Sequence, residues 1–278
     1  MILLHIGGII MKKMTNTEIK QEELKILDNF SDFCKKNSLK YYLCGGSLLG
    51  AVRHNGFIPW DDDIDLMMPR PDYEKLLKMY PKSDKYYIVA SELNNFDRPF
   101  AKIIDQATIV KSRYKDGDMG LWIDVFPIDG LPYDIETVKY IYKRNDFYRS
   151  VLKLSNCKLG EGKGLIKKLS KFILKPLANI YGVKKCIKEI EKYAFIYPYE
   201  ESEYIGVVTN GLYGAGERMI KKEFEIPVDF LFEGRIMPGP SCWDSYLHGI
   251  YGEYMTLPPI EKRKTHEMEA YWKNGGML

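Results

Sequence analysis

A chain of 278 residues with 45% hydrophobic content can bury one sizeable core with a smaller lobe, which excludes a disulfide mini-protein and a disordered tail. Lys and Arg number 41 against 38 Asp and Glu, and a net charge of +3 gives no whole-chain case for a nucleic-acid partner. Five cysteines, odd in number and without C-x-x-C spacing, argue against a disulfide framework or zinc site and for a reducing, cytoplasmic setting.

The first ten residues, MILLHIGGII, are apolar yet too short to span a bilayer, and they lack a basic leader, so residues 1–14 are set aside as an N-terminal extension. Thr15 to Glu18 reads as a capping box, and Leu24, Leu27, Phe30, Phe33 and Cys34 then recur at helical spacing. Residues 39–44 read as a strand stopped by Gly45-Gly46, and 63–68 as a second strand broken by Pro69 and Pro71. A helix over 72–80 and strands over 86–91, 103–112 and 121–126 follow, the last closed by Pro127. Residues 15–132 therefore form a mixed α/β core. Residues 133–199 read as a helical lobe, with helices over 135–154 and 164–197, and 200–278 as a mixed segment that packs back on the core.

The most informative string is GGSLLGAVRHNGFIPWDDDIDL, residues 45–66. In an extended chain Asp61, Asp63 and Asp65 share one face while Ile64 and Leu66 take the other. Clustered carboxylates repel one another unless a divalent cation neutralises them, and their hard oxygens suit Mg2+ or Mn2+. An isolated DDDID is more often a solvated acidic turn. Here Gly45, Gly46 and Ser47 lie beside it, between a strand and a helical turn, where free amides and a hydroxyl can hold phosphate. An EF-hand fails because Leu66 stands where that loop needs Gly and Asp72 where it needs Glu. Arg53 suits a phosphate oxygen, and His54 suits proton transfer or phosphate contact; the bland alternative is that both pair with the acidic run. Trp60 and Trp122 offer faces for a quaternary ammonium group, although large aromatics more often belong to the core.

This string resembles the LicD family of phosphotransferases, which share the nucleotidyltransferase fold of the DNA polymerase beta superfamily. The resemblance implies a mixed sheet with flanking helices and a mainly helical second half. It implies phosphate contacts from Gly46 and Ser47 and paired metal ligands at Asp63 and Asp65. The superfamily's third carboxylate, from a neighbouring strand, falls on Asp124 in LWIDVFPIDGL, with Asp105 and Asp129 as nearby competitors. Asp61 and Asp62 then orient the loop or support the ligands from outside. The tail YLHGIYGEYMTLPPIEKRKTH resembles the family's C-terminal segment, so that Tyr251, Arg263 and His266 would close the nucleotide pocket; a packed terminal loop explains the same residues.

The implied activity is metal-dependent transfer of a phosphoryl-alcohol group, phosphocholine from CDP-choline foremost, to a hydroxyl of a glycan or lipid-linked glycan acceptor such as lipopolysaccharide or teichoic acid, releasing CMP. Nucleotidyl transfer to a small-molecule hydroxyl, releasing pyrophosphate, is the alternative enzyme reading. A non-catalytic glycan- or nucleotide-binding scaffold is the reading outside enzymes.

GLYGAG, residues 211–216, reads as a turn because no βαβ unit surrounds it. From Lys158 to Lys192 ten lysines stand against three glutamates, interleaved with Leu165, Ile166, Leu169, Phe172, Ile173 and Leu177. Such a helix can lie on an anionic membrane surface. Burial of the apolar stripe against the core, with the lysines solvated, is the expectation that globular helices set.

Overall fold

In the computed structural model, which describes residues 3–6, 9–111, 119–157, 165–263 and 268–273, the chain opens with a hairpin of β1 (Leu3–Ile6) and β2 (Ile9–Lys13). α1 (Asn16–Lys36) follows, with both halves of the Thr15/Glu18 capping box formed. Next come β3 (Tyr42–Leu43), α2 (Gly45–His54), β4 (Asp65–Pro69), α3 (Arg70–Met79), β5 (Tyr86–Val89), β6 (Ala101–Asp105), β7 (Thr108–Val110) and β8 (Trp122–Leu131). The helical stretch is α4 (Ile135–Asn156), α5 (Leu165–Tyr181) and α6 (Val183–Ile196). The remainder is β9 (Tyr204–Gly206), β10 (Met219–Ile220), α7 (Lys221–Phe224), β11 (Pro227–Phe232), β12 (Arg235–Pro240), α8 (Trp243–Tyr251) and β13 (Ala270–Trp272). The architecture is mixed α/β, as the sequence pattern predicts.

β8 organises the central sheet. One edge pairs in parallel with β4, which pairs in turn with β3; the other takes β6 along residues 122–125 and β9 along 129–131. That division explains why Pro127 does not end the strand as the sequence suggests. It falls between the reach of β6 and that of β9, where its missing N–H deprives no ladder of a bond. α1 packs Ile26, Leu27 and Phe30 into the core that also buries Ile64, Leu66, Ile123 and Val125.

Three further expectations change. The strand over 103–112 divides at Gln106 and Ala107, because β6 belongs to the central sheet and β7 pairs with β13 in another. The helix over 164–197 divides at Gly182, whose φ of 92° no helix interior accepts. The segment set aside at the N-terminus supplies β2, which pairs with β13; Met11 and Met14 are buried there. An apolar run that is too short for a bilayer is long enough for a hairpin whose first strand forms the edge of that sheet and whose second lies inside it.

Asp129 in β8 is fully buried and receives the Arg70 guanidinium in a two-pronged contact, Nε to Oδ1 at 2.6 Å and Nη2 to Oδ2 at 3.0 Å. This ties α3 to β8 through an ion pair that solvent does not screen. Asp129→Ala should remove about 3–5 kcal/mol of stability by stranding the guanidinium. Arg70→Met combined with Asp129→Leu should recover most of that loss, as read from urea unfolding midpoints.

Candidate active site

Parallel pairing of β4 with β8 sets Asp65 directly beside Asp124, and antiparallel pairing of β6 with β8 sets Lys102 beside Asp124 on its other flank. Residues in register across a sheet share a face, so the three side chains form one row across three strands. The frame around the row is hydrogen-bonded. Asp65 N–H donates to Ser47 Oγ at 2.8 Å, Cys44 N–H donates to the Asp65 carbonyl at 3.2 Å, and Asp124 N–H donates to the Ile64 carbonyl at 2.9 Å.

Ahead of β4 the chain alternates as expected: Asp62 and Ile64 are buried while Asp61, Asp63 and Asp65 are half-exposed toward the cleft. Asp62 turns away, its Oδ2 accepting from Met268 N–H at 3.3 Å. Burial is the main cause that pushes the Asp65 carboxyl well above its usual range; repulsion from Asp63, Asp124 and Asp61 adds to it, and Lys102 opposes it.

Lys102 is missing from the sequence-derived set. It lies in the apolar strand AKIID, and a lysine at a buried strand position is rarely left unpaired, which is the signal that would have found it. Its ammonium sits 2.7 Å from Asp124 Oδ1 and 3.9 Å from the centre of the Trp122 ring, with the Phe100 ring also close. Burial lowers its pKa, and Asp124 works against that shift. Trp122 Nε1 donates to Asp124 Oδ2 at 3.2 Å. The face of Trp122 is therefore covered by this chain's own cation.

Glu23 was also missed. It shares the apolar stripe of α1 with Leu27 and Phe30, is fully buried, and has no hydrogen-bond partner on either carboxylate oxygen among the described residues. Burial, with the charges of Asp63, Asp62 and Asp124, holds its carboxyl well above the ordinary range.

α2 begins at the cleft. Gly45 adopts φ 51° and its N–H donates to Tyr246 Oη at 3.3 Å, while a Cβ at Gly46 would lie 2.7 Å from Asp61 Oδ2. The two glycines let the helix start press against the acidic segment. Ser47 is buried and supports Asp65 through the bond already given. A cavity of about 260 Å3 opens beside them, lined by Gly46, Arg53, Trp60, Asp61 and Tyr251 among others.

Arg53 donates from Nη1 to the Tyr254 carbonyl at 2.5 Å and from Nε to His54 Nε2 at 2.9 Å. Burial and the neighbouring Arg263 lower its pKa, and burial together with Arg53 lowers that of His54. Arg263 lies 4.5 Å over the Trp60 ring centre and donates to the Pro258 carbonyl. Two guanidinium groups thus lie near one another, Arg53 lining the cavity with Gly46 of the α2 start and Arg263 lying over the Trp60 ring that also lines it. Tyr251 stands over Gly45 and meets Tyr213 edge-on at 5.1 Å, so the 211–216 turn borders the site. His266 lies outside the described residues. Asp105 and Asp129, the competitors of Asp124, are fully buried, and Asp129 is bound to Arg70.

Among the described residues, no three His, Cys, Asp or Glu side chains are gathered closely enough to form a ready cation cage. The donor chemistry nevertheless fits a hard divalent ion. Asp65 and Asp124 share a face, and Asp124 Oδ1 is a buried oxygen without a well-directed hydrogen bond, although the Lys102 ammonium lies close to it. Asp63 and Asp65, with Asp124, would hold such an ion.

A family model described as the LicD/FKTN/FKRP nucleotidyltransferase domain matches residues 38–158. The lipopolysaccharide cholinephosphotransferase LicD of Haemophilus influenzae is 33% identical over 267 residues, covering 94% of this chain and 99% of that protein. Human ribitol 5-phosphate transferase FKRP is 64% identical over 28 residues, which are 10% of this chain and 6% of that one. Mannosyltransferase regulator 4 of Saccharomyces cerevisiae is 28% identical over 109 residues, 36% of this chain and 9% of that protein.

Because the folded-state pKa of Asp65 is raised, the native chain holds a proton that the unfolded chain releases above about pH 4. The relative stability is full below that value and declines as pH rises through the folded-state pKa. Asp65→Asn should therefore raise the urea midpoint over wild type at about pH 8 in chelator, with the gap closing toward about pH 4. A gap independent of pH would contradict the electrostatic account.

Proposed function

The chain belongs to the LicD family of transferases, and from that premise we propose that it moves phosphocholine from CDP-choline to a hydroxyl of a cell-surface glycan or its lipid-linked precursor, releasing CMP. The name of the Haemophilus relative supports phosphocholine as the group carried and lipopolysaccharide as the kind of acceptor. The observation that carries the chemistry is the in-register row of Asp65, Asp124 and Lys102, which concentrates charge at one end of a rigid sheet.

The amides at the start of α2 hold the diphosphate, flanked by Arg53 and Arg263. A bound Mg2+ or Mn2+ ion would neutralise the diphosphate and the departing CMP. The acceptor oxygen attacks the phosphorus that bears choline, the bond to the bridging oxygen breaks, and CMP leaves with its electron pair. Asp124 takes the acceptor's proton, and Lys102 holds that carboxylate in place. A choline ammonium that reaches the face of Trp60 displaces Arg263 from it.

We propose further that the protein works in the cytoplasm with a peripheral contact at the inner membrane face, where a lipid-linked acceptor is presented. No helix among the described residues is long and apolar enough to cross a membrane.

Asp63→Ala or Asp65→Ala should lower CMP release by about two orders of magnitude or more while the chain still folds and unfolds cooperatively. EDTA should abolish turnover and added Mg2+ should restore it. Pyrophosphate in place of CMP among the products would instead favour nucleotidyl transfer, and wild-type turnover in either variant would remove the mechanism.

A further inference from the structure

Over residues 171–181, whose side chains are described, α5 is amphipathic in the sense opposite to a helix packed on a core. Positions 173, 177 and 180 recur on one face, and Ile173, Leu177 and Ile180 are 70%, 59% and 82% exposed. Lys175, on the other side of the same turns, is 3% exposed, and its ammonium donates to the Cys157 carbonyl. The sequence-based expectation, apolar stripe inward and lysines solvated, is thus reversed for these residues. Water disfavours that arrangement, because apolar surface left exposed forfeits the main driving force of folding while a buried ammonium loses its hydration. Phe147 of α4, also exposed, stands beside the stripe; with Val151, Leu154, Leu174 and Tyr181 it lines a largely apolar cavity of about 370 Å3 between the two helices.

Charge identifies what covers this face. Residues 158–192 carry ten lysines and three glutamates, a local +7 in a chain of net +3. Lys184 and Lys185 follow the stripe directly, and they, Lys188 and Lys192 are exposed on α6. A symmetric pairing with a second copy would bring two lysine-rich surfaces of the same sign into one interface. An anionic lipid surface attracts them and at the same time receives the apolar stripe.

We propose that the α4–α5 face docks on an anionic phospholipid bilayer, with Ile173, Leu177 and Ile180 entering the boundary between headgroups and acyl chains and the lysines of α6 meeting lipid phosphates. The cavity between the helices admits part of one acyl chain. This deepens the membrane contact of the proposed function and rests on it, whereas the transfer chemistry does not enter the geometry.

Flotation of the full chain with phosphatidylglycerol-containing vesicles at low salt tests the surface. The wild type should float with these vesicles and bind about tenfold less to phosphatidylcholine alone. Ile173→Glu with Leu177→Glu should lower binding to the anionic vesicles about tenfold, and Lys184→Glu with Lys188→Glu should weaken it and flatten its salt dependence. CMP release onto a soluble acceptor should be unchanged in both variants, so a failed docking surface and a failed catalytic reading are told apart. A wild type that stays unbound at low salt overturns the proposal, as does a concentration-dependent dimer that Ile173→Glu dissolves.

Discussion

The site depends on one register: residue 65 of β4 opposite residue 124 of β8 in a parallel pair. Neighbouring strands lie about 4.8 Å apart, so these two carboxyl groups resist being charged together, and repulsion from Asp124 is among the causes that raise the Asp65 pKa. A stable fold tolerates this only where something answers it. Lys102, brought to the other flank of Asp124 by β6, supplies one positive charge, while Asp61, Asp63 and Asp65 add their carboxylates nearby. The protein thus gathers more carboxyl groups than cations on one face of the sheet formed by β4, β8 and β6.

Distant parts of the chain maintain that arrangement. α8 holds the start of α2 through Tyr246, the Met268 amide pulls Asp62 out of the row, and Tyr254 anchors Arg53. The sheet of β1, β2, β13 and β7 joins both ends of the described chain, so the residues that close the cleft are fastened to the same body that carries the carboxylates. Motion of the segment after α8 would alter the cleft directly, because Arg263 reaches Trp60 from there.

Much of this was legible in the sequence, for identifiable reasons. The capping box at Thr15 and the alternation through Asp61 to Leu66 are local patterns, and local patterns survive folding. The family string pointed to Gly45 through Asp65 and the same resemblance to Asp124, which strand register sets beside Asp65. What escaped had two causes. Lys102 looks like a surface lysine until β6 is paired with β8, which is non-local, whereas Glu23 sits on the stripe of Leu27 and Phe30 by local helical spacing and is passed over because a carboxylate seldom occupies such a stripe. Pro127 looked like a strand end because a sequence does not reveal which edge of β8 is unpaired at that point. The orientation of α5 was likewise invisible, since an amphipathic pattern states that two faces differ and not which of them meets water.

We propose that Asp65 and Asp124, set side by side by strand register, hold a divalent cation together with the donor's diphosphate. Mn2+ binding followed by electron paramagnetic resonance in the presence of CDP-choline tests it most directly. The wild type should bind the ion tightly, and Asp65→Asn and Asp124→Asn should each weaken binding about tenfold or more while remaining folded. Equal Mn2+ affinity in all three proteins would contradict it.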